Sequence, residues 1–211
     1  EMMNIKSHHP ARKYLEDRQI PLNGIYYVSD FSEYVRSQFP TNTKTLYKEA
    51  RIVIPFYDNE GNLLGVQGRS IGPSKLKYIT IKADESLPKI FGWNKLDTSK
   101  TVYVVEGPLD SLFIDNCIAT MDATLYNVVS ILGNHLDYVF VYDNEPRNRQ
   151  IVSNMRKTID RGYKLCVWPD YVREKDINDM VLAGHNIMDV LESNTHSGLE
   201  AKIKFNNWKK I

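Results

Sequence analysis

The hydrophobic pattern changes period along the chain and marks three stretches. Over residues 10–40 apolar positions recur at helical spacing in "ARKYLEDRQI", stopped by Pro21, and in "DFSEYVRSQF", stopped by Pro40. The residue before a proline is pushed out of the α region, so each proline is a natural end. Asp30 with Glu33 resembles a capping pair at the second start. Residues 51–82 change to a β pattern: "RIVIPFYD", a "DNEGN" turn, "LLGVQGRS", and the alternating "KYITIK" predict a small antiparallel sheet. From residue 101 strands and helices alternate. The strand "TVYVVE" (101–106) runs into Gly107-Pro108 and a helix "LDSLFIDNC", which carries Cys117 on its face. A short strand near 118–121, a helix over 123–133 and the strand "YVFVYD" (138–143) come next. The helix "RNRQIVSNMRKTID", with Gly162 as its stop, leads to "YKLCVW", closed by Pro169. This alternation predicts an α/β fold with a parallel sheet and helices on its faces.

Composition narrows the class. The chain has 211 residues, 42% hydrophobic and 25% charged, enough apolar content for a real core and too much for wholesale disorder. Two cysteines, Cys117 and Cys166, exclude a disulfide scaffold and a CxxC zinc ribbon, and fit a reducing cytoplasm. No apolar run reaches the ~18 residues of a membrane span, and the start lacks the plan of a signal peptide. The opening Glu1-Met2-Met3 is read as trimmed or recombinant, with sequence missing upstream. Charge is uneven: residues 1–100 carry 15 Lys/Arg against 11 Asp/Glu, and residues 101–211 carry 12 against 15. A basic half beside an acidic half suits a polyanion-binding surface next to a metal centre.

In a parallel α/β sheet ligands bind beyond the carboxyl ends of the strands. Glu106 ends the first strand, Asp143 and Glu145 follow the third, and "KDINDM" beyond the fourth supplies Asp176, Asn178 and Asp179. Two carboxylates ~4 Å apart repel by about 4 kcal/mol at an effective dielectric near 20, so such a cluster calls for a cation or raised pKa values. Hard oxygen donors suit Mg²⁺ or Mn²⁺. Singly, Asp143 could open its turn and Asp110 could answer a helix dipole. Gly107 allows a sharp turn after the strand, and Pro108 suits the first helical position. The basic positions Arg51, Arg69, Lys75, Lys77, Lys82 and Lys89 are either a solvated face or a phosphate-binding surface. The five histidines have no zinc spacing, and no GxxxxGK[ST] loop or GxSxG elbow occurs.

Glu-Gly-x-x-Asp at 106–110, Asp-x-Glu at 143–145 and "KDIND" at 175–179 resemble the Toprim domain of primases, topoisomerases and certain nucleases. Upstream, "RIVIPFYDNEGNLLGVQGR", "KYI" and "PKIFGWNKL" resemble the basic subdomain that precedes Toprim in DnaG-type primases, most like those of large tailed phages. The likeness spans residues 48–183. It implies segments at 1–50 (helical), 51–100 (basic α+β), 101–183 (Toprim) and 184–211 (helical). It also implies Glu106, Asp143 and Glu145 as catalytic acids, with Asp110, Asp176 and Asn178 joining them around Mg²⁺ or Mn²⁺. Arg69, Lys77 and Lys89 fall where the family uses basic residues for template and nucleotide phosphates; with Arg51, Lys75 and Lys82 they form the expected nucleic-acid surface of the basic sheet, helped by Tyr57 or Tyr78.

The activity implied is a nucleotidyltransferase making short RNA primers on single-stranded DNA from ribonucleoside triphosphates, partnered in a primosome by a replicative hexameric helicase. Its location would be the cytoplasm, a host's if phage-encoded. Two departures stand out: Asp143-x-Glu145 replaces Asp-x-Asp, and Asn178 ends the third pair. The family's zinc module is absent from this chain. A metal-dependent nuclease or repair module, or a non-catalytic nucleic-acid-binding and helicase-docking subunit, remains open. The C-terminal stretch 199–211 is either a helix packed back on its domain or a docking helix.

Overall fold

The computed structural model describes residues 1–211, which divide into two compact units, 1–94 and 95–211. In the first unit α1 (Pro10–Asp17) starts on a proline, and the His9 side chain caps it by accepting from Ala11 N at 3.2 Å. α2 (Phe31–Gln38) is capped by Asp30, whose carboxylate accepts from Glu33 N at 3.0 Å, as the spacing predicted. Between them lies a strand absent from the sequence reading, β1 (Tyr26–Val28), which pairs antiparallel with β2 (Arg51–Tyr57). β3 (Leu63–Ser70) and β4 (Tyr78–Lys82) complete a four-stranded antiparallel sheet in the order β1-β2-β3-β4. The segment read as a separate helical piece therefore contributes a strand to the basic sheet.

Phe31, Val35 and Phe39 of α2 and its end pack on Val53, Val66 and Ile81 from three strands. The approach is close. A Cβ at Gly68 would meet the Phe31 ring at 2.6 Å, so glycine is what lets this helix settle on the sheet. Arg51 fills the same layer. It is 0% exposed, ion-paired with Glu49, and donates to the carbonyls of Gly68 (2.7 Å), Leu76 (2.7 Å) and Lys77 (3.3 Å). It thus solvates backbone carbonyls and straps the 74–77 loop to the sheet. Lys82 likewise turns inward, donating to the carbonyls of Glu85 and, at 3.1 Å, Leu87.

In the second unit β5 (Val102–Val105), β6 (Cys117–Ala119), β7 (Tyr138–Phe140) and β8 (Lys164–Cys166) run parallel, and β9 (Thr195–His196) adds an antiparallel edge, in the order β6-β5-β7-β8-β9. All four β5 residues are buried, which explains their continuous apolar run. The helix expected over "LDSLFIDNC" is only α3 (Pro108–Ser111), and Cys117 opens β6 instead of lying on a helix face. Asn116, just before β6, takes φ 49°, and its side chain donates to the carbonyls of Asp97 and Thr101, both at 2.9 Å. α3 has already ended at Ser111, and this anchor fixes where the chain enters β6. α4 (Val129–Leu132) follows. α5 (Arg149–Asp160) has Asn148 as its cap and Gly162 at φ 81° beyond its end. α6 (Ile177–Leu182), α7 (Ile187–Asn194) and α8 (Gly198–Trp208) finish the unit. Ala201, Phe205 and Trp208 bury one face of α8, which packs on α5 and β8. No helix is long and apolar enough to cross a membrane.

Candidate active site

The carboxyl ends of β5 and β7 and the start of α6 carry the acids. Glu106 directly follows β5, and its carbonyl accepts from Met121 N at 2.9 Å, fixing it against the chain that leaves β6. Gly107 then caps α3. A Cβ there would meet Asp110 Oδ2 at 2.7 Å, so the missing side chain is what lets the Asp110 carboxylate fold back over the joint. Asp110 Oδ1 accepts from Asn178 N at 3.1 Å, linking α3 to α6. Asp143 lies three residues past β7, where the strand has already left the sheet. Asp176 caps α6 by accepting from Asp179 N at 2.9 Å.

Glu106, Asp110, Asp143 and Asp176 line one narrow pocket with Gly107, Tyr142 and Trp168. Its free space is ≈ 10 Å³, about that of one water-sized sphere. Crowding acts on the acids. Asp143 is pushed up to about 7 by burial first, then by the charges of Asp110, Glu106 and Asp176, with Lys175 pulling the other way. Glu106 is raised by loss of water around it, then by Asp122 and Glu145, although part of it reaches solvent. These are the signs of an anionic centre that lacks enough positive charge.

The remaining expected residues stand elsewhere. Glu145 is paired with Lys175 at 2.6 Å and accepts from Asn148 at 2.5 Å, contacts that hold its carboxyl below the usual range. Asn178 is buried and supports the pocket through its backbone rather than lining it. As the side chains stand, no three His, Cys, Asp or Glu groups are placed to share one ion. The donor chemistry nevertheless fits a hard divalent cation: four acidic residues line an ion-sized space, and one of them resists ionising.

Sequence reasoning missed three contributors. Lys175 supplies the cation at the mouth, and its place inside "KDIND" was the available signal. Asp122 adds negative charge beside Glu106 from a loop without any motif. Asn144 ties the acid-bearing turn down: its N–H donates to Lys175 O at 2.7 Å and its amide to the carbonyls of Val172 (3.0 Å) and Glu174 (3.1 Å).

Among the basic residues, Arg51 donates to carbonyls of the sheet and the 74–77 loop, and Lys82 donates to carbonyls of the loop that follows β4. Arg69 is 6% exposed; it donates to Tyr78 Oη at 2.7 Å and sits between the rings of Tyr14 and Tyr78. Lys75 and Lys77 are exposed on the approach to β4, Lys89 is half-buried, and Tyr78 presents 41% of its surface. Both thiols are pushed up by burial, so neither is a nucleophile.

No protein-family model matches the chain. It is 34% identical over 213 residues to the DNA primase of Enterobacteria phage T4, covering 96% of this chain and 61% of that protein. The chain therefore spans about three-fifths of the length of this relative. Among solved structures it resembles the Aquifex aeolicus primase zinc-binding and RNA polymerase domains at 18% identity and TM-score 0.68, covering 100% of this chain and 64% of that one. It also resembles a DnaG primase catalytic domain bound to single-stranded DNA, at 17% identity and TM-score 0.67, covering 98% and 77%. The E. coli primase catalytic core gives 18% and 0.63 over 94% and 76%. The chain carries the catalytic-core fold of the DnaG-type primases and is related in sequence to a phage primase over nearly its whole length.

Proposed function

We propose that this chain is the catalytic core of a DNA primase, joining ribonucleotides on a single-stranded DNA template. The observation that carries this reading is the pocket in which Glu106, Asp110, Asp143 and Asp176 meet. These four would hold Mg²⁺ or Mn²⁺. The chemistry such an ion would supply there is a lowered pKa for a primer 3′-hydroxyl and neutralised charge on the triphosphate.

The chain's own side chains do the positioning. Gly107 keeps the Asp110 carboxylate folded over the joint, and Asn178 N–H fixes its direction. Asn144 holds the turn carrying Asp143 and Glu145 against the loop carrying Lys175 and Asp176. Lys175 offsets part of the negative charge and keeps Glu145 ionised. In the loops flanking β4, Lys75, Lys77 and Lys89 would meet template and nucleotide phosphates, and Tyr78 at the start of β4 would stack a base. Arg69 acts through Tyr78, whose hydroxyl it holds. A replicative helicase is the expected partner, and the cytoplasm the expected location.

The test is template-directed primer synthesis with Mg²⁺ or Mn²⁺, any upstream module supplied in trans. Glu106→Gln and Asp143→Asn are each expected to lose at least about 100-fold in rate. Wild-type yields in both variants would defeat the reading. DNA breakdown without ribonucleotides would favour a nuclease instead.

A further inference from the structure

A second feature of the 95–211 unit has no part in the chemistry above. An open cleft of ≈ 560 Å³ lies against the acid-bearing turn, and Trp168 walls both it and the acidic pocket. Arg147, Arg173 and Lys210 line it, opposed by the single carboxylate of Asp170. All three cations are exposed, and neither guanidinium is in an ion pair. The floor is finished protein. Trp168 Nε1 donates to Tyr142 O at 2.7 Å, Trp208 Nε1 donates to Asn144 Oδ1 at 2.9 Å, and the Asn144 amide is spent on two carbonyls. The indoles are 3% and 6% exposed, so neither face is open to stacking.

A cleft whose rim offers three cations is suited to phosphates, and a floor with no unspent donor and no open ring gives a base little to pair with or stack on. We propose that it binds the phosphate backbone of a single nucleic-acid strand beside the acidic pocket, independently of sequence. Two guanidiniums give forked donors suited to phosphate oxygens, and Lys210 gives a third charge at the end of α8. A free triphosphate shares the phosphate chemistry, but exposed cations around an open trough favour a continuous polyanion over a compact ligand. The proposal rests on the primase reading only for why a strand passes here; binding itself needs neither nucleotides nor metal.

The experiment is fluorescence anisotropy of a labelled oligothymidylate and a labelled oligouridylate in chelator, over a range of salt. Each single-strand phosphate contact contributes about 0.7 to the slope of log K against log salt, so Arg147→Ala/Arg173→Ala/Lys210→Ala is expected to flatten the slope by about 2. Affinity at low salt should fall about tenfold or more, with the melting temperature unchanged. Single replacements should each remove about a third of the slope change. Lys75→Ala/Lys77→Ala serves as a second background, in which the triple variant should remove the same increment. An unchanged slope and affinity in the folded triple variant would overturn the proposal. So would inorganic triphosphate displacing the strand at micromolar concentration, which would mark a mononucleotide site. Loss of primer synthesis in Glu106→Gln is read separately, so the two readings can fail independently.

Discussion

At the scale of single residues, Asp143 makes the most exposed commitment. Its folded-state pKa of about 7 lies above the ~3.9 of an unfolded aspartate. Between those values the folded chain keeps a proton that the unfolded chain has released, so folding stability falls as pH rises from about 4 to about 7. Asp143→Asn removes that penalty. In chelator at pH 8 the variant should melt higher than wild type by roughly 2–8 °C, corresponding to about 1–2 kcal/mol after allowance for solvent screening, with no gain at pH 4. Thermal melts at the two pH values decide it, and a gain that does not vary with pH would refute the assignment.

Gly107 offers a complementary test, because its constraint is steric. In Gly107→Ala the new methyl must push Asp110 Oδ2 aside and strain its bond from Asn178 N. The displaced group is the end of a flexible side chain, so the fold should survive within about 1 kcal/mol while primer synthesis drops at least tenfold. The motif Glu-Gly-x-x-Asp was readable for this reason: one residue type fits the close approach. Arg51 was not readable. Its charge suggests a surface, and only folding gathers the carbonyls of Gly68, Leu76 and Lys77 around it.

At the scale of elements, the basic sheet is held by close backbone approach and by that buried arginine. Arg51→Ala would leave three carbonyls and Glu49 without their donor, costing about 3–5 kcal/mol, whereas Lys75→Ala should leave stability within about 0.5 kcal/mol. Denaturant unfolding of the two variants separates a structural cation from a surface one. The same contrast explains what the pattern of hydrophobicity could convey. β2, β3 and β4 alternate or run long enough to be recognised, and the Asp30 cap and Gly162 stop follow local rules. β1 is three residues long and takes its identity from pairing with Val53, Ile52 and Arg51, which lie far off in sequence. Likewise "LDSLFIDNC" has a helical composition, but its helix stops at Ser111 and its end is tied through Asn116 to Asp97 and Thr101. Local propensity alone decided neither place.

At the scale of the whole molecule, the division at residues 94 and 95 gives each half its own sheet and its own buried layer. Residues 95–211 hold all four pocket carboxylates, so that piece expressed alone should fold and be stabilised by millimolar Mn²⁺. A rise in its melting temperature on adding Mn²⁺, absent in Glu106→Gln, is the expected result. The fold class and the acids were legible because strand ends fall where sheet geometry demands. The cleft beside them was not, because Arg147, Arg173 and Lys210 meet only through folding. The C-terminal helix belongs to this half as well: Trp208 donates to Asn144, and Lys210 N–H donates to Pro146 O at 2.9 Å. A purification handle fused behind Ile211 would therefore tug on a lever two hydrogen bonds from the reacting groups.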